Sequence, residues 1–366
     1  MKKFSFFLNC AATALFAVAL TACSDVKDNP SGGDNPAPQT ITIKNGDELA
    51  TIINQLNATA GDEIIVEIPA GIETINADGV TVPAGKKLTV IGNNNVTIAV
   101  KSPILFSNAI TLKDIVIDGS EATSPIFKID DEVSSDVFTI DNITFTGVIV
   151  NNLKSELFYA NKKKVVVKKF TVDNSIIAVK GSAKKTMFSF NGGGLPEAFS
   201  INNSTLYADT KSTWSNGGLY SSQSGSKMSD LNIESNTISI TNSTLYNICK
   251  GQHPCTVRQN SAKGQVYTVK NCIIVNGGKV SGSETQFLVG LNGGSAGNDY
   301  NWDVDGNVFM SGDNMTTEKK IGKTAGLNKN VVTIDPKFSA EFIAKGWFFP
   351  TNGAFPKTVG DPRWNK

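Results

Sequence analysis

Cysteine and histidine side chains that could bind a metal lie close together in the second half of the chain. The stretch CKGQHPC contains Cys249, Cys255 and His253, the single histidine of the sequence. Thiolate and imidazole groups are ligands of zinc, although a structural zinc site normally has four of them. A disulfide between Cys249 and Cys255, which would close the loop between them, is the interpretation that we favour.

Acidic side chains cluster in a later stretch, GNDYNWDVDGN. This stretch contains Asp299, Asp303 and Asp305, and carboxylate oxygens are the ligands that calcium prefers. These three residues are our candidate metal ligands, and calcium is the one cofactor that the sequence suggests.

Aromatic residues in polar surroundings are candidates for contacts with a sugar. Trp214 lies in the polar stretch YADTKSTWSNGG, and Tyr207 and Tyr246 end the heptapeptides INNSTLY and ITNSTLY. A rigid aromatic face beside hydrogen-bonding groups suits a sugar ring. Tyrosine is also favoured in β-strands without any ligand, so the interpretation depends on the elements that carry these residues.

The charge balance argues against nucleic acid as a partner. The chain has 34 basic and 33 acidic residues, and its only arginines are Arg258 and Arg363. A nucleic-acid interface needs a basic patch, and arginine is the preferred residue for contacts with phosphate. We therefore expect no nucleic-acid partner.

The two heptapeptides belong to a longer repeat. Its pattern is an apolar residue, a small or apolar residue three places on, and a large apolar residue five places on. The first positions of the pattern are Leu112, Ile140, Val172, Ile201, Ile240, Val269 and Val304. The second place after each of them holds Asp, Asn or Gly, which tolerate the left-handed backbone of a bend between two strands. Internal similarity of this kind indicates stacked strand repeats.

The strand period of two then predicts which side chains face outward. Six places after each first position, the outward residues are Asp118, Thr146, Ala178, Tyr207, Tyr246, Val275 and Met310. A further strand precedes each repeat, with the central apolar residues Phe106, Phe127, Phe158, Phe188, Leu219, Val257 and Phe287. The residue that follows the central one would face outward, which aligns Tyr159, Tyr220 and Arg258. Our candidate carbohydrate contacts are thus Tyr159, Tyr220, Arg258, Trp214, Tyr207 and Tyr246.

A short helix is predicted before the first strands. Asp47 is a plausible N-cap residue, and Leu49, Ile52, Ile53 and Leu56 follow at helical spacing. We expect this helix to cover the end of the stacked strands, because an uncovered sheet edge invites pairing with other chains.

These repeats resemble the right-handed parallel β-helix of pectin-lyase-like proteins. The resemblance implies an all-β, single-stranded solenoid over residues 41–320 with the helix as its N-terminal cap. The stretches TIDPKF and GDPRW near the C-terminus resemble the closing segment of Bacteroides β-helix lipoproteins of unknown function. They imply that residues 321–366 form a C-terminal cap segment.

The N-terminus resembles that of a bacterial lipoprotein. Two lysines and a short apolar run are followed by LTAC, which resembles a lipobox. The resemblance implies that residues 1–22 are a signal peptide and that Cys23 carries the lipid. Residues 23–40, rich in Pro, Gly, Asn, Asp and Ser, are expected to be a flexible tether. The expected location is the outer membrane at the cell surface, with the lipid as the only membrane attachment.

The function that we expect is binding of a polysaccharide on an exposed β-helix face without cleavage, in association with other glycan-uptake proteins. Pectate-lyase-like enzymes use calcium and an Arg or Lys base, a resemblance that makes Arg258 and Lys250 candidate catalytic residues. No complete lyase motif is recognisable, so we expect the protein not to be an enzyme. A calcium-assisted polysaccharide lyase and a purely structural or adhesive surface protein remain the alternatives.

Overall fold

The structure is a computed structural model that describes most of the chain beyond its N-terminal region. The described residues are 38–44, 48–55, 61–130, 132, 137–160, 164–180, 186–191, 193–209, 218–222, 228–249, 252–258, 266–281, 284–291, 301–309, 315–317, 328–329, 332–353 and 355–365. They belong to one compact unit, Pro36–Lys366. The predicted signal peptide, the lipidation site Cys23 and most of the predicted tether lie outside the described residues.

The described strands form three sheets. Sheet A consists of β1 (Gln39–Thr42), β2 (Glu63–Glu67), β4 (Lys87–Ile91), β7 (Ile110–Lys113), β10 (Phe138–Thr146), β13 (Val165–Asp173), β16 (Leu195–Asn202), β19 (Thr237–Thr241), β22 (Val266–Lys270), β26 (Asn301–Asp305) and β29 (Asn328–Lys329). Sheet B consists of β3 (Thr74–Asn76), β5 (Thr97–Ala99), β8 (Val116–Asp118), β11 (Ile149–Leu153), β14 (Ile176–Val179), β17 (Thr205–Ala208), β20 (Thr244–Tyr246), β23 (Ile273–Val275), β27 (Val308–Phe309) and β30 (Val332–Thr333). Sheet C consists of β6 (Ile104–Phe106), β9 (Phe127–Ile129), β12 (Phe158–Tyr159), β15 (Phe188–Ser189), β18 (Tyr220–Ser222), β21 (Cys255–Arg258), β24 (Lys279–Ser281), β25 (Glu284–Leu291) and β28 (Met315–Thr317).

These sheets confirm the predicted parallel β-helix. Successive strands of each sheet come from successive rungs and pair in parallel; among the described strands, only β24 and β25 pair antiparallel. Ile201 pairs with Ile240, and both are fully buried in the main core. The heptapeptides are therefore equivalent positions of a scaffold. No helix in the described part of the chain is long and apolar enough to cross a membrane.

The bends between sheets A and B use the predicted left-handed residues. Positive φ angles occur at Asp114, Asn174, Asn203, Asn242, Asn271 and Gly306, where the sequence predicts them. The prediction for the rung that contains β10 is wrong. Phe145, rather than Ile140, pairs with Leu112 and Val172, so the bend falls at Gly147 (φ 65°) and not at Asn142.

Serine hydroxyls connect neighbouring bends along the solenoid. The backbone N–H of Ser175 donates to Ser204 Oγ at 3.0 Å, and that of Ser204 donates to Ser243 Oγ at 3.1 Å. Cys272 continues this column; its thiol is fully buried and donates to the carbonyl oxygen of Lys270 at 3.2 Å. The column satisfies polar groups that would otherwise be unpaired inside the protein. Cys272 thus fills a small position of the core.

The predicted register of sheet C holds from Phe127 to Phe188 and is wrong on either side, where Phe106 pairs with Ile129 and Val257 with Ser222. Phe188 pairs with Tyr220 rather than with Leu219, and Tyr220 pairs with Cys255. A shift of one residue moves a side chain to the opposite face of a strand. Tyr220 therefore points into the solenoid, where it is 0% exposed and its ring centroid lies 5.2 Å from that of Phe199.

Apolar side chains from all three sheets form one continuous core. Helix α1 (Leu49–Gln55) contributes Leu49, Ile52 and Ile53 to it, as the sequence predicts. Asp47 and Leu56 lie outside the described residues. The centre of the core is aromatic: Phe170 contacts the rings of Phe145, Phe158, Phe188, Phe190 and Phe199 at centroid distances of 5.2 to 6.2 Å.

The described part of the C-terminal segment, residues 332–365, returns along the outer face of sheet B. It contains β30, helix α2 (Ala340–Ala344) and a 3-10 helix, Pro362–Trp364. Tyr246 lies beside Phe338 and Phe348, with ring centroids 6.1 and 5.4 Å away. Because β30 continues sheet B, the last rung extends beyond the predicted boundary at residue 320.

The stretch GDPRW fastens this segment to the bends of several rungs, and we call residues 360–364 the clasp. Asp361 is fully buried and accepts a hydrogen bond from Thr205 Oγ1 at 2.7 Å. Arg363 pairs with Asp361 and donates to the carbonyl oxygens of Asn174 and Ser175 at 3.2 and 2.7 Å. Trp364 donates from Nε1 to Thr205 Oγ1 at 2.7 Å. The clasp thus satisfies carbonyl groups that the left-handed bends expose.

Replacement of Gly147 by alanine is expected to destabilise the solenoid more than replacement of Gly79. Both glycines have positive φ angles, 65° and 68°, where a side chain costs about 1–2 kcal/mol. A methyl group at Gly147 would also collide with the Asp114 carboxylate, whereas nothing lies within 4 Å of one at Gly79. Displacing this partly buried side chain adds about 1 kcal/mol, the low end of the cost of overpacking. Urea unfolding of both variants measures the difference; equal losses would contradict the close contact between Gly147 and Asp114.

Candidate functional site

A groove with a volume of about 770 Å³ lies between sheet B and the C-terminal segment. Residues at the ends of β11, β14, β17 and β20 form one side, and helix α2 with Lys345 forms the other. A smaller groove of about 310 Å³ adjoins it at the ends of β3, β5 and β8, and Asp118 lines both. The two grooves together follow the stacking direction of the rungs.

Five of the residues that line the groove form the outward column of sheet B: Asp118, Asn151, Ala178, Tyr207 and Tyr246. Asp118 pairs with Asn151, and Ala178 pairs with Tyr207, which pairs with Tyr246. Asn151 takes the place that the prediction assigned to Thr146, because that rung is shifted. Parallel register stacks these side chains on adjacent rungs, about 4.8 Å apart.

Asp118 is held in place by its neighbours. Its carboxylate accepts hydrogen bonds from Asn152 Nδ2 at 2.9 Å and from Ser120 Oγ at 2.8 Å. Burial alone would raise the pKa of Asp118, but these hydrogen bonds and the nearby ammonium of Lys154 outweigh it and hold the pKa below its usual value. Asp118 is therefore ionised at neutral pH, and it suits acceptance of a hydrogen bond better than donation of a proton.

Tyr207 and Tyr246 face outward but are only half exposed, because the C-terminal segment packs on them. The ring of Phe348 lies between them, with centroid distances of 5.3 and 5.4 Å. Burial raises the pKa of both phenols, and Asp335 raises that of Tyr246 further. Both hydroxyls are therefore neutral at physiological pH. Their rings mainly anchor the segment, while their edges line the groove.

Helix α2 depends on this anchoring, since none of its own residues is buried. Beyond its C-cap Lys345, the chain turns at Gly346 (φ 73°), whose N–H donates to the carbonyl oxygen of Ile343 at 2.9 Å. A methyl group on Gly346 would approach Tyr207 Oη to 2.8 Å. The turn that follows helix α2 therefore packs closely against sheet B, and the helix forms one side of the groove.

The charges that line the larger groove are balanced. Asp118 and Asp209 contribute two carboxylates, and Lys180 and Lys345 contribute two ammonium groups. Lys345 pairs with Glu341 at 2.7 Å. Amide groups and the small apolar residues Ala178, Val179 and Ala208 complete the sheet side. This mixture of apolar floor and hydrogen-bonding groups is typical of sites for polar, uncharged ligands.

The structure does not support the predicted disulfide or a zinc site. Cys249 and Cys255 are free, and both are buried. Burial raises the pKa of each thiol, and the proximity of Cys255 raises that of Cys249 further, so neither is a reactive thiolate. His253 is also buried, at 3% exposure. The disulfide prediction is wrong: each thiol is a free, small apolar group of the core.

Two of the three predicted calcium ligands belong to the described residues. Asp303 and Asp305 belong to β26, and Asp303 pairs with Lys270 at 2.7 Å; Asp299 lies outside the described residues. Within the described part of the chain, no three acidic, cysteine or histidine residues are grouped closely enough to hold a metal ion.

The other predicted carbohydrate contacts do not assemble into one surface. Tyr159 is half-buried in β12 and pairs with Ser189, so it does not belong to a column of tyrosines. The prediction that Tyr220 faces outward is wrong, because it lies in the core. Trp214 and Lys250 lie outside the described residues, as does the side chain of Arg258.

Sequence reasoning missed several residues of the groove. Asp118 stood in the predicted outward column but was not singled out, because an isolated aspartate carries no specific signal. Lys180 and Asp209 follow their strands directly, and Lys345 belongs to a helix that packs against strands far away in the chain. Only the folded structure brings these charges together.

Comparison with known proteins finds a match to one family model over part of the chain. Residues 74–209 match a family described as "Domain of unknown function (DUF4957)". The match covers β3 to β17 and includes Asp118, Ala178 and Tyr207 of the groove, but neither Tyr246 nor the C-terminal segment. No curated protein and no solved structure is significantly similar to the chain.

Proposed function

We propose that this protein binds an uncharged polysaccharide, without cleaving it, in the groove between sheet B and the C-terminal segment. The observation that carries the proposal is the groove itself, about 770 Å³ in volume, with Asp118, Asn151 and Lys180 above an apolar floor. The rungs repeat about every 4.8 Å, which is close to the length of one sugar residue in an extended chain. A glycan that lies along the stacking direction would therefore meet an equivalent position at each rung.

The charge distribution favours an uncharged glycan over a polyuronide. The larger groove is balanced, and the adjoining smaller groove contains Asp78, Asp118 and Glu121 against a single lysine, Lys101. A uronate chain that occupied both grooves would place carboxylates beside these acidic residues. Like charges at short range disfavour binding.

A calcium-assisted lyase has less support. Asp303, one of its candidate ligands, pairs with Lys270 on sheet A, and the ionised Asp118 is a poor general acid. A purely adhesive role would not require a groove with converging hydrogen-bonding groups. We therefore retain both alternatives only as outcomes of the experiment.

The proposed setting is the bacterial cell surface. Lipidation at Cys23 would anchor the domain. Residues 39 and 40 belong to β1 rather than to the predicted tether, so residues 23–38 would form a tether with an end-to-end distance of about 22 Å. That reach would let the groove meet extracellular glycans and neighbouring glycan-uptake proteins.

Affinity electrophoresis of residues 24–366 through gels that contain polysaccharides tests the proposal. We expect at least one uncharged glycan, such as a glucan, mannan or galactan, to retard the protein, and polygalacturonate not to do so. Replacement of Ala178 by tryptophan would fill the floor of the groove and should weaken binding at least tenfold. Replacement of Ala70, an exposed residue of a turn outside the groove, by tryptophan is the matched control.

Three results would contradict the proposal. Retardation by no glycan would favour an adhesive role. Unsaturated product released from a polyuronide in the presence of calcium would establish the lyase alternative. Equal binding by the Ala178→Trp and Ala70→Trp variants, with thermal unfolding of both unchanged, would place the site elsewhere.

A further inference from the structure

We propose that Trp347 is a stacking platform for the glycan at the rim of the groove, so that the ligand extends beyond the groove onto the C-terminal segment. This inference rests on the proposed function. It adds a binding residue and a requirement on the length of the ligand.

Trp347 is exposed although a large apolar side chain is normally covered. It is the one large hydrophobic residue classed as exposed among the described residues, with 43% of its surface accessible. Tryptophan in such a setting is the side chain most often found at the energetic centre of a binding surface. Its indole presents a flat apolar face and one N–H donor, which together match the CH face and hydroxyl groups of a sugar.

The backbone of Trp347 is held firmly on both sides. Its N–H donates to the carbonyl oxygen of Phe342 at 2.8 Å. The preceding Gly346 lies against the Tyr207 hydroxyl, and the following Phe348 is 0% exposed between Tyr207 and Tyr246. A platform fixed in this way loses little conformational entropy when a ligand binds.

The ring itself is supported by other aromatic side chains. Its centroid lies 5.8 Å from that of Phe342, which lies 5.7 Å from Phe349, which in turn lies 5.1 Å from Trp364 of the clasp. This series of rings connects the exposed indole to the buried end of the C-terminal segment. The orientation of Trp347 is thus part of the fold.

Lys345 places the platform at the edge of the groove. Its ammonium lies 5.2 Å from the centroid of the Trp347 ring, and the same residue lines the groove. The cation–π contact occupies one side of the indole. A glycan that leaves the groove past Lys345 would therefore meet the remaining exposed surface of the indole.

Calorimetric titration with oligosaccharides of increasing length, prepared from the glycan that the gels identify, tests this inference. We expect Trp347→Ala to weaken binding of the longest oligosaccharides about tenfold and to leave the shortest unchanged. Trp347→Phe, which keeps an aromatic face, should restore most of the affinity. Trp302→Ala, which removes a half-buried tryptophan of sheet A, is the matched control and should have no effect.

The outcomes separate this inference from the proposed function. If the Trp347→Ala variant binds every oligosaccharide as tightly as the unaltered protein does, the platform is refuted and the proposal of binding in the groove is unaffected. An effect of the same size on short and long oligosaccharides would also refute the platform as an outer site. If the unaltered protein binds no glycan, both the proposed function and the platform fail.

Discussion

Replacement of Asp361 by alanine is expected to lower the free energy of unfolding by about 2–4 kcal/mol, since removal of one partner of a buried pair leaves the other uncompensated. Asp361 is 0% exposed and accepts hydrogen bonds from Thr205 Oγ1 at 2.7 Å and from Arg363 Nε at 2.9 Å. Arg363 keeps partial access to water, with 27% of its side chain exposed, so the loss should stay below that of a fully buried ion pair. Chemical denaturation measures the change.

The matched control for Asp361 is Asp141, which forms an exposed ion pair with Lys168 at 2.8 Å. Exposed pairs contribute little to stability, so Asp141→Ala should leave the unfolding midpoint unchanged. Asp361→Asn should be intermediate, because it keeps an acceptor for Thr205 and loses the charge. Equal stability of Asp361→Ala and the unaltered protein would contradict the role of the clasp.

The second large effect is expected in the aromatic centre of the core. Phe170→Ala should cost about 3–5 kcal/mol, because it removes a fully buried ring and leaves a cavity in a tightly packed interior. Phe170 is 0% exposed and contacts five other rings, among them Phe158 at 5.2 Å. Phe138→Ala, at the half-buried start of β10, is the matched control and should cost clearly less.

Thermal and urea unfolding of both phenylalanine variants measure the two losses. The difference should exceed about 1 kcal/mol, because loss of the half-buried Phe138 ring leaves no closed cavity. Equal losses would mean that Phe170 does not occupy a closed interior. That result would contradict the solenoid core on which the position of the groove depends.

The bends were the part of the fold most open to prediction from sequence. Asn and Asp tolerate a left-handed backbone, so their recurrence two places after an apolar residue marked Asp114, Asn174 and Asn203 correctly. The same pattern failed at β10, because this nine-residue strand can be aligned with its neighbours at either Ile140 or Phe145. Asn142 fits the local pattern, but Gly147 provides the bend.

The face of a strand on which a side chain lies is harder to predict, because a register error of one residue reverses it. In sheet C, strand β18 has only three residues, too few to show by their pattern which side chains face inward. The sequence pattern paired Phe188 with Leu219 instead of Tyr220, and this error of one residue reversed the predicted faces. Tyr220, a core residue, was therefore assigned to a candidate binding column. In sheet B the bends fixed the frame independently, and the column was predicted correctly at Asp118, Ala178, Tyr207 and Tyr246 but not at Thr146.

Only one of the two sides of the groove could be predicted from the sequence. Its sheet side follows from the repeat, which placed Ala178, Tyr207 and Tyr246 in one outward column. Its other side comes from a segment whose contacts span the chain: Thr205 and Asp361 are 156 residues apart. No periodicity encodes such a contact, so neither Lys345 nor Trp347 stood out.

Hydrogen–deuterium exchange with and without the glycan that the gels identify tests the central claim most directly. If the glycan occupies the groove, backbone amides at the ends of β14 and β17 and in the segment from α2 to Trp347 should exchange more slowly in its presence. Amides of β12 and β15 in sheet C should exchange at unchanged rates. Protection confined to sheet C, or no protection anywhere at saturating glycan, would contradict the assignment of the groove.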